Sequence, residues 1–372
     1  TGNTSKTIIT TQTFKSVSVW YHIVWRVDTT QSTAADRTRI YVNGTQVTAF
    51  DNESYVDQND EVSINASGND HLIGAYTTSS TTRHYAGYMA EINFADGQSY
   101  GPETFGQVGA NGDWIPKAIT GVTYGANGFR LDFADSSALG DDESGNGNDF
   151  DITDNISSHD QVIDSPTQNF AILDHETGGT AYDALTEGGL EVTGGSGVDI
   201  SGVASRLFLP AGIGKWYWEI LIKNPNSGDN YPYAGVSAIE RLEGNTTYGT
   251  QSRELSINVG KNATFSTNTT YVGAVTTDTT NVVKLENNDV LGIAIDMENR
   301  KMWFSDNGTF FNSGNPANGT NSQIQWANDV DLHPSWASYN NYGNDSIFNF
   351  GQDPTFAGNK TAPGTAKTDA NG

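Results

Sequence analysis

Apolar and polar side chains alternate along most of this chain in short runs bounded by Gly, Asn and Asp. In the stretch 19–28, Tyr21, Ile23, Trp25 and Val27 fall on one face, with Trp20, His22, Val24 and Arg26 on the other. That is the period of a half-buried strand. Residues 39–47 read as a hairpin, because Asn43-Gly44 accepts the positive φ values of a two-residue turn. Stretches 71–76, 86–97 and 128–135 supply further strands. Later, Trp216, Trp218, Ile220 and Ile222 alternate against Tyr217, Glu219 and Leu221, and Leu291, Ile293, Ile295 and Met297 share one face. A second Asn-Gly turn stands at Asn307-Gly308, and stretches 233–239, 254–260, 333–341 and 346–352 complete the set.

The pattern predicts an all-β chain of two antiparallel β-sandwiches in tandem, with almost no helix. Long runs of Ala, Leu, Glu and Lys are absent. Trp25 and Tyr21 are expected inside the first sandwich, and Leu291, Ile293 and Ile295 inside the second. The boundaries read as 1–134 for the first domain, 135–166 for an acidic Gly/Asn-rich connector, 167–356 for the second domain and 357–372 for a flexible tail. The connector reads as an ordered link or a mobile one.

Charge narrows the partners. The formal net charge is −25, so the surface repels phosphate backbones and anionic lipid. Nucleic acid is not an expected partner. No apolar stretch is long enough for a membrane-spanning helix. The chain has no cysteine, which excludes disulfides and thiolate metal sites and fits a bacterial or viral protein. It opens in mid-strand pattern, as a piece of a longer product would. Asn-x-Ser/Thr triplets at Asn43, Asn52, Asn65, Asn262 and Asn307 read first as turn chemistry and second as glycosylation acceptors.

Residues 8–134 resemble a concanavalin-like, laminin-G-type jelly roll. The segments WYHIVWRVDTT, RIYVNGTQVTAF, HLIGAY and YAGYMAEINFADGQSYGPETFG carry the likeness in that order. Such domains have several strands ahead of the first of these segments. The resemblance therefore implies a first domain that lacks its opening strands and completes itself with preceding residues or with a strand from another subunit. Residues 167–356 look like a SPRY domain, also called B30.2-like, through GKWYWEI, YAGVS, LGIAIDMENRKMWFSDNG, HPSWASY and IFNFGQDP. The pair, joined by the Asp142–Asn148 motif DESGNGN, resembles structural proteins of tailed bacteriophages. SPRY and laminin-G-type domains bind partners, so the resemblance implies a non-enzymatic, tail-fibre-like virion protein. It would lie on the virion surface or otherwise outside the cell, form homo-oligomers, and bind host-surface carbohydrate or protein or neighbouring virion subunits. A carbohydrate-cleaving envelope depolymerase and a secreted bacterial adhesin are the alternatives.

The residues themselves offer little catalytic chemistry. Related sandwich hydrolases place two carboxylates on one groove-lining strand. Here Glu91 and Asn93 alternate onto one face, an amide stands where the second acid belongs, and Asp96 falls at the strand end. Gly97–Gly101 matches G-x-S-x-G, but Pro102 and Gly106 leave no room for the helix a nucleophile elbow needs. None of the six histidines has ligand spacing. The metal candidate is Asp142, Ser144, Asn146 and Asp149, with Gly147 where a calcium loop would turn, although Thr153 stands in the closing position that takes a bidentate Glu. Calcium and a solvated acidic turn both fit that spacing. The recognition candidates are loop residues with flat apolar rings or amide tips: Tyr231, Tyr233, Tyr248, Arg253, Tyr339, Asn340 and Tyr342.

Overall fold

The computed structural model describes residues 6–17, 19–66, 68–76, 84–85, 87–152, 156–174, 182–194, 200–225, 232–238, 255–259, 264–267, 269–339 and 345–362. They fall into two units, Thr1–Asn169 and Phe170–Gly372. The chain is all-β in both: the α-helices among the described residues are α1 (Ala34–Arg37) and α2 (Thr269–Val272), one turn each. Among the described residues, no helix is long and apolar enough to cross a membrane.

The first unit is a set of small antiparallel sheets. Strand β1 (Ile8–Thr10), β2 (Ile23–Val27), β3 (Thr38–Val42), β4 (Thr45–Gln46) and β5 (Phe50–Glu53) come first, and β1 pairs with β5 while β2, β3 and β4 form a three-stranded sheet. Then β6 (Ile92–Phe94), β7 (Gly106–Val108), β8 (Trp114–Pro116) and β9 (Phe129–Leu131) pair as β6–β9 and β7–β8. The β3–β4 turn is the expected one, with Asn43 at φ 48° and Gly44 at φ 77°. Trp114 lies against it: its Nε1 donates to His22 Nδ1 at 2.8 Å, and the two rings stack.

Burial in this unit departs from the alternation. Val42, Leu131 and Pro102 are its buried aliphatic side chains among the described residues. Trp25, expected inside, is 60% exposed, and Tyr21 is half-buried against Phe14. The reason is layering. The β2–β3 pairing places Ile23, Trp25 and Val27 opposite Val42, Ile40 and Thr38 on one face. That face is covered at Val42 and Thr38 but open at Ile23 and Trp25.

The described residues of the connector are hydrogen-bonded within the first unit. Glu143 N–H donates to the Arg130 carbonyl, Phe150 N–H to the Gly140 carbonyl, and the Gln161 amide to the carbonyls of Phe133 and Ala134. Trp20 Nε1 donates to the buried Asp164 at 2.9 Å.

The second unit is a two-sheet sandwich. Its strands are β10 (Leu173–Asp174), β11 (Tyr182–Thr186), β12 (Glu191–Gly194), β13 (Ile200–Ser205), β14 (Lys215–Ile222), β15 (Tyr233–Ser237), β16 (Leu255–Asn258) and β17 (Phe265–Thr267). They continue with β18 (Val275–Thr277), β19 (Val290–Asp296), β20 (Lys301–Asp306), β21 (Thr309–Phe310), β22 (Ile324–Trp326), β23 (His333–Tyr339) and β24 (Ser346–Asn349). One sheet runs β10-β13-β23-β15-β16-β17, and the other β11-β12-β24-β14-β19-β20-β22-β18, with β21 beside β20.

Register explains the core. Val203, Trp336, Ala234, Ile257 and Phe265 form one cross-strand row of the first sheet. In the second sheet, Phe348, Ile220 and Leu291 line up, as do Trp218, Ile293 and Phe304. The sheets meet where Phe265 stacks on Phe304 at 5.5 Å between ring centroids and Trp336 meets Phe348 edge-on at 6.2 Å. Leu291, Ile293, Ile295 and Met297 are all buried, as their alternation requires. Burial of this kind is the main favourable term in folding, about 1.5–3 kcal/mol for each large aliphatic or aromatic side chain.

Candidate functional site

Glu91 is the candidate acid of the first unit. Its backbone has φ 51°, so the strand alternation begins only after it and it does not share a regular pleat with Asn93. Arg130 lies directly across from Asn93 in the β6–β9 pair. The Arg130 guanidinium takes both Glu91 oxygens, Nη2 to Oε1 at 2.9 Å and Nε to Oε2 at 3.2 Å, and lies 3.8 Å from Asp132 Oδ2. Hydrogen bonding to Glu91 is the largest influence on Arg130 and raises its pKa. Tyr124 O–H donates to Asn93 Oδ1 at 2.7 Å, and burial, against the pull of Arg130, pushes its phenol up. The group is a polar network organised around one guanidinium, with both Glu91 oxygens already in use.

The 142–149 loop is also organised around one residue. Asp142 Oδ1 accepts from the N–H groups of Arg130 and Ser144, and Oδ2 from the Ser144 hydroxyl and the Asn148 N–H, all at 2.8–2.9 Å. Burial opposes ionisation of this carboxylate, but the backbone donors of Arg130, Asn148 and Ser144 outweigh it, and its pKa is lowered. Asn146 turns away to bind the carbonyls of Gly125 and Gly128, Asn148 holds those of Ala126 and Gly128, and Asp149 Oδ1 accepts from Asp142 N–H at 3.0 Å. Asp142, Ser144, Asn146 and Asp149 are therefore brought into one loop, but their oxygens and amides face protein donors and acceptors. Among the described residues no group of three or more His, Cys, Asp or Glu side chains is arranged to hold a metal ion.

Of the recognition candidates, Tyr231, Tyr248, Arg253, Asn340 and Tyr342 lie outside the described residues. Tyr339 ends β23, and only its backbone is described. Tyr233 opens β15 between Asn258 and Ala337 and is half-buried, so it belongs to the sheet and not to a loop.

The structure offers a different surface in the second unit. The segment 207–217 exposes Leu207, Phe208, Ile213, Trp216 and Tyr217. Its backbone is fixed: Leu209 bridges to Leu332, Ala211 N–H binds Asp331 Oδ1 at 2.8 Å, and Met297 N–H binds the Gly214 carbonyl at 3.0 Å. Trp216 Nε1 donates to the Ile213 carbonyl at 3.3 Å, which holds the indole beside the loop. Tyr217 O–H donates to Glu219, and burial of that end, then the Glu219 charge, push the phenol up. Trp216 shares its face of β14 with the buried Trp218, Ile220 and Ile222. It is the second residue of the strand, and its side chain lies beyond the covering layer.

No known family profile matches the chain, and no curated protein matches it. Solved structures do. The SPRY domain of human HERC1 aligns at 17% identity over 47% of this chain and 96% of that one, with a TM-score of 0.34. The PSpry domain of TRIM65 aligns at 13% identity over 49% of this chain and 92% of that one, with a TM-score of 0.29.

Proposed function

We propose that this chain is a non-enzymatic binding protein of a virion surface, a tail-fibre-like appendage whose second unit is a SPRY-like interaction module. The observation that carries the reading is the exposed 207–216 segment, where Leu207, Phe208, Ile213 and Trp216 are exposed on a backbone pinned at Leu209, Ala211 and Gly214. A pre-formed aromatic surface binds without the ordering cost of a loose loop, and Trp and Tyr suit a sugar ring or a protein patch alike. The sequence likeness to SPRY domains favours a protein partner, either at the host surface or in a neighbouring virion subunit. Many copies on an appendage would make modest affinity at each site sufficient.

The depolymerase reading keeps one motive, the proximity of Glu91 and Asp132 around Arg130. One experiment addresses both. The purified chain is incubated with host cells and with their envelope polysaccharide, and retention and reducing ends are followed together. Retention that drops with Trp216→Ala, without new reducing ends, is the expected result. Reducing ends produced by the native chain and lost with Glu91→Gln would replace the binding reading with the enzymatic one.

A further inference from the structure

Among the described residues, strand β2 has a partner on one side only, pairing with β3 and with nothing else. At its ends, Asn43 N–H donates to the His22 carbonyl and Asp28 N–H to the Arg37 carbonyl. Even-numbered positions therefore turn their backbone groups inward, and Ile23, Trp25 and Val27 turn theirs outward. Those same three residues carry the apolar face, with Ile23 57% and Trp25 60% exposed. Edge strands in solution are normally blunted by charge, proline or a bulge. Here the one charged residue inside the strand, Arg26, points to the opposite face and is held by Ser99.

We propose that β2 is the edge through which two copies of this chain join, antiparallel about a two-fold axis, with Trp25 opposite Trp25 of the second copy. The register follows from three constraints. Outward residues must meet outward residues for the ladder to form. Apolar must meet apolar on the exposed face, and this register sets Ile23 against Val27 at both ends of the Trp25 pair. Charges on the other face must not oppose their like. Arg26 then faces Val24, whereas a shift of two residues toward the C-terminal end of the strand sets Arg26 against Arg26, and the shift the other way sets it against His22.

The chosen register also brings Asp28 opposite His22. Trp114 donates to His22 Nδ1, so the neutral ring carries its proton on Nε2, while the Asp28 carboxylate accepts from Thr30 and Gln31 within its own chain. This register allows two copies of a chain with net charge −25 to meet at this edge without placing like charges against each other. The joined sheet would run β4-β3-β2-β2-β3-β4, an isologous contact that closes on itself.

The chain's lack of cysteine gives a background-free test. Residues opposed as a hydrogen-bonded antiparallel pair lie about 5.5 Å apart at Cα, within the span a disulfide bridges. The full chain is examined by sedimentation velocity over a concentration series, and Trp25→Cys and Arg26→Cys are each oxidised at the concentration where the wild type is dimeric. The expected results are a concentration-dependent wild-type dimer, a covalent dimer from Trp25→Cys, and little from Arg26→Cys. A wild type that stays monomeric up to its solubility limit overturns the proposal. So does a dimer in which Trp25→Cys fails to cross-link or Arg26→Cys cross-links as well.

Discussion

His22 and Asn43 bind each other twice: Asn43 N–H donates to the His22 carbonyl at 2.9 Å, and Asn43 Oδ1 accepts from His22 N–H at 2.8 Å. The turn asparagine thus uses its side-chain carbonyl as one more rung of the ladder to the neighbouring strand. The same ring recurs at the other Asn-Gly turn, where Asn307 N–H donates to the Val290 carbonyl at 2.9 Å and Asn307 Oδ1 accepts from Val290 N–H at 3.0 Å. The two short stretches look alike because each turn asparagine supplies both a left-handed backbone and a strand-extending acceptor.

The two turns differ in what the amide NH₂ touches. Asn307 Nδ2 donates to Asp289 at 2.8 Å and to Asp306 at 2.9 Å. Replacing it with aspartate keeps the acceptor but sets a carboxylate against two others. Asn307→Asp is expected to cost about 1–3 kcal/mol, the usual penalty for charged groups left with wrong partners, and Asn43→Asp clearly less. Thermal unfolding of the two variants at neutral pH checks the order; equal losses would contradict it.

The glycines that follow make a second pair. Gly44 and Gly308 both have positive φ, 77° and 81°. A Cβ at Gly44 would sit 2.4 Å from the Trp114 ring, whereas one at Gly308 meets nothing within 4 Å. Gly308→Ala should cost only the backbone strain, about 1 kcal/mol, and Gly44→Ala about 1–3 kcal/mol more through overpacking. If the ring is the cause, the excess shrinks when Gly44→Ala is made on a Trp114→Ala background, a double-mutant cycle read by denaturant unfolding.

For the 142–149 loop the expectation concerns what holds it. Four protein donors occupy the Asp142 carboxylate, so excess calcium or a chelator should leave the melting temperature unchanged. Asp142→Asn, which replaces one acceptor oxygen with a donor facing N–H or O–H groups, should cost about 2–4 kcal/mol. A calcium-dependent rise in melting temperature that vanishes in the variant would restore the metal reading.

These residues mark what could be read from the chain. Alternation at Leu291, Ile293, Ile295 and Met297 foretold burial because a second sheet covers that face. At Trp25 the same alternation gave the right face and the wrong environment, since period says which side chains share a face and nothing about whether a layer lies over it. Both hairpins were legible because Asn-Gly chemistry is local. The acidic loop left two readings open for a physical reason: oxygens at alternate positions suit a cation and backbone N–H groups equally well, and only the fold brings Arg130 N–H to Asp142. The Glu91–Arg130 pair spans 39 residues and left no local trace. The exposure of Trp216 was missed because the start of β14 follows the core pattern without the core's cover.

Asp306 carries the pH prediction. It ends β20 beside the Asn307 turn, and burial, followed by the charge of Asp289, raises its pKa. A carboxyl group raised in the folded state binds protons more tightly there than in the unfolded chain. The charged form is therefore a burden on the fold, absent below the unfolded value of about 3.9 and fully present once the pH exceeds the folded one. Asp306→Asn removes that burden and keeps an oxygen for the Asn307 amide. The variant should melt above the wild type at neutral pH, and the two curves should converge as the pH falls below about 4. The opposite sign belongs to Asp296 and Asp142, whose pKa values are lowered despite burial by Asn299 and Lys215 in one case and by backbone donors in the other. Their neutralisation should cost stability at pH 7 and not in acid. Melting temperatures of wild type and Asp306→Asn measured from pH 3 to pH 8 give the answer, and a variant less stable than wild type at neutral pH would show that Asp306 serves the turn more than it burdens it.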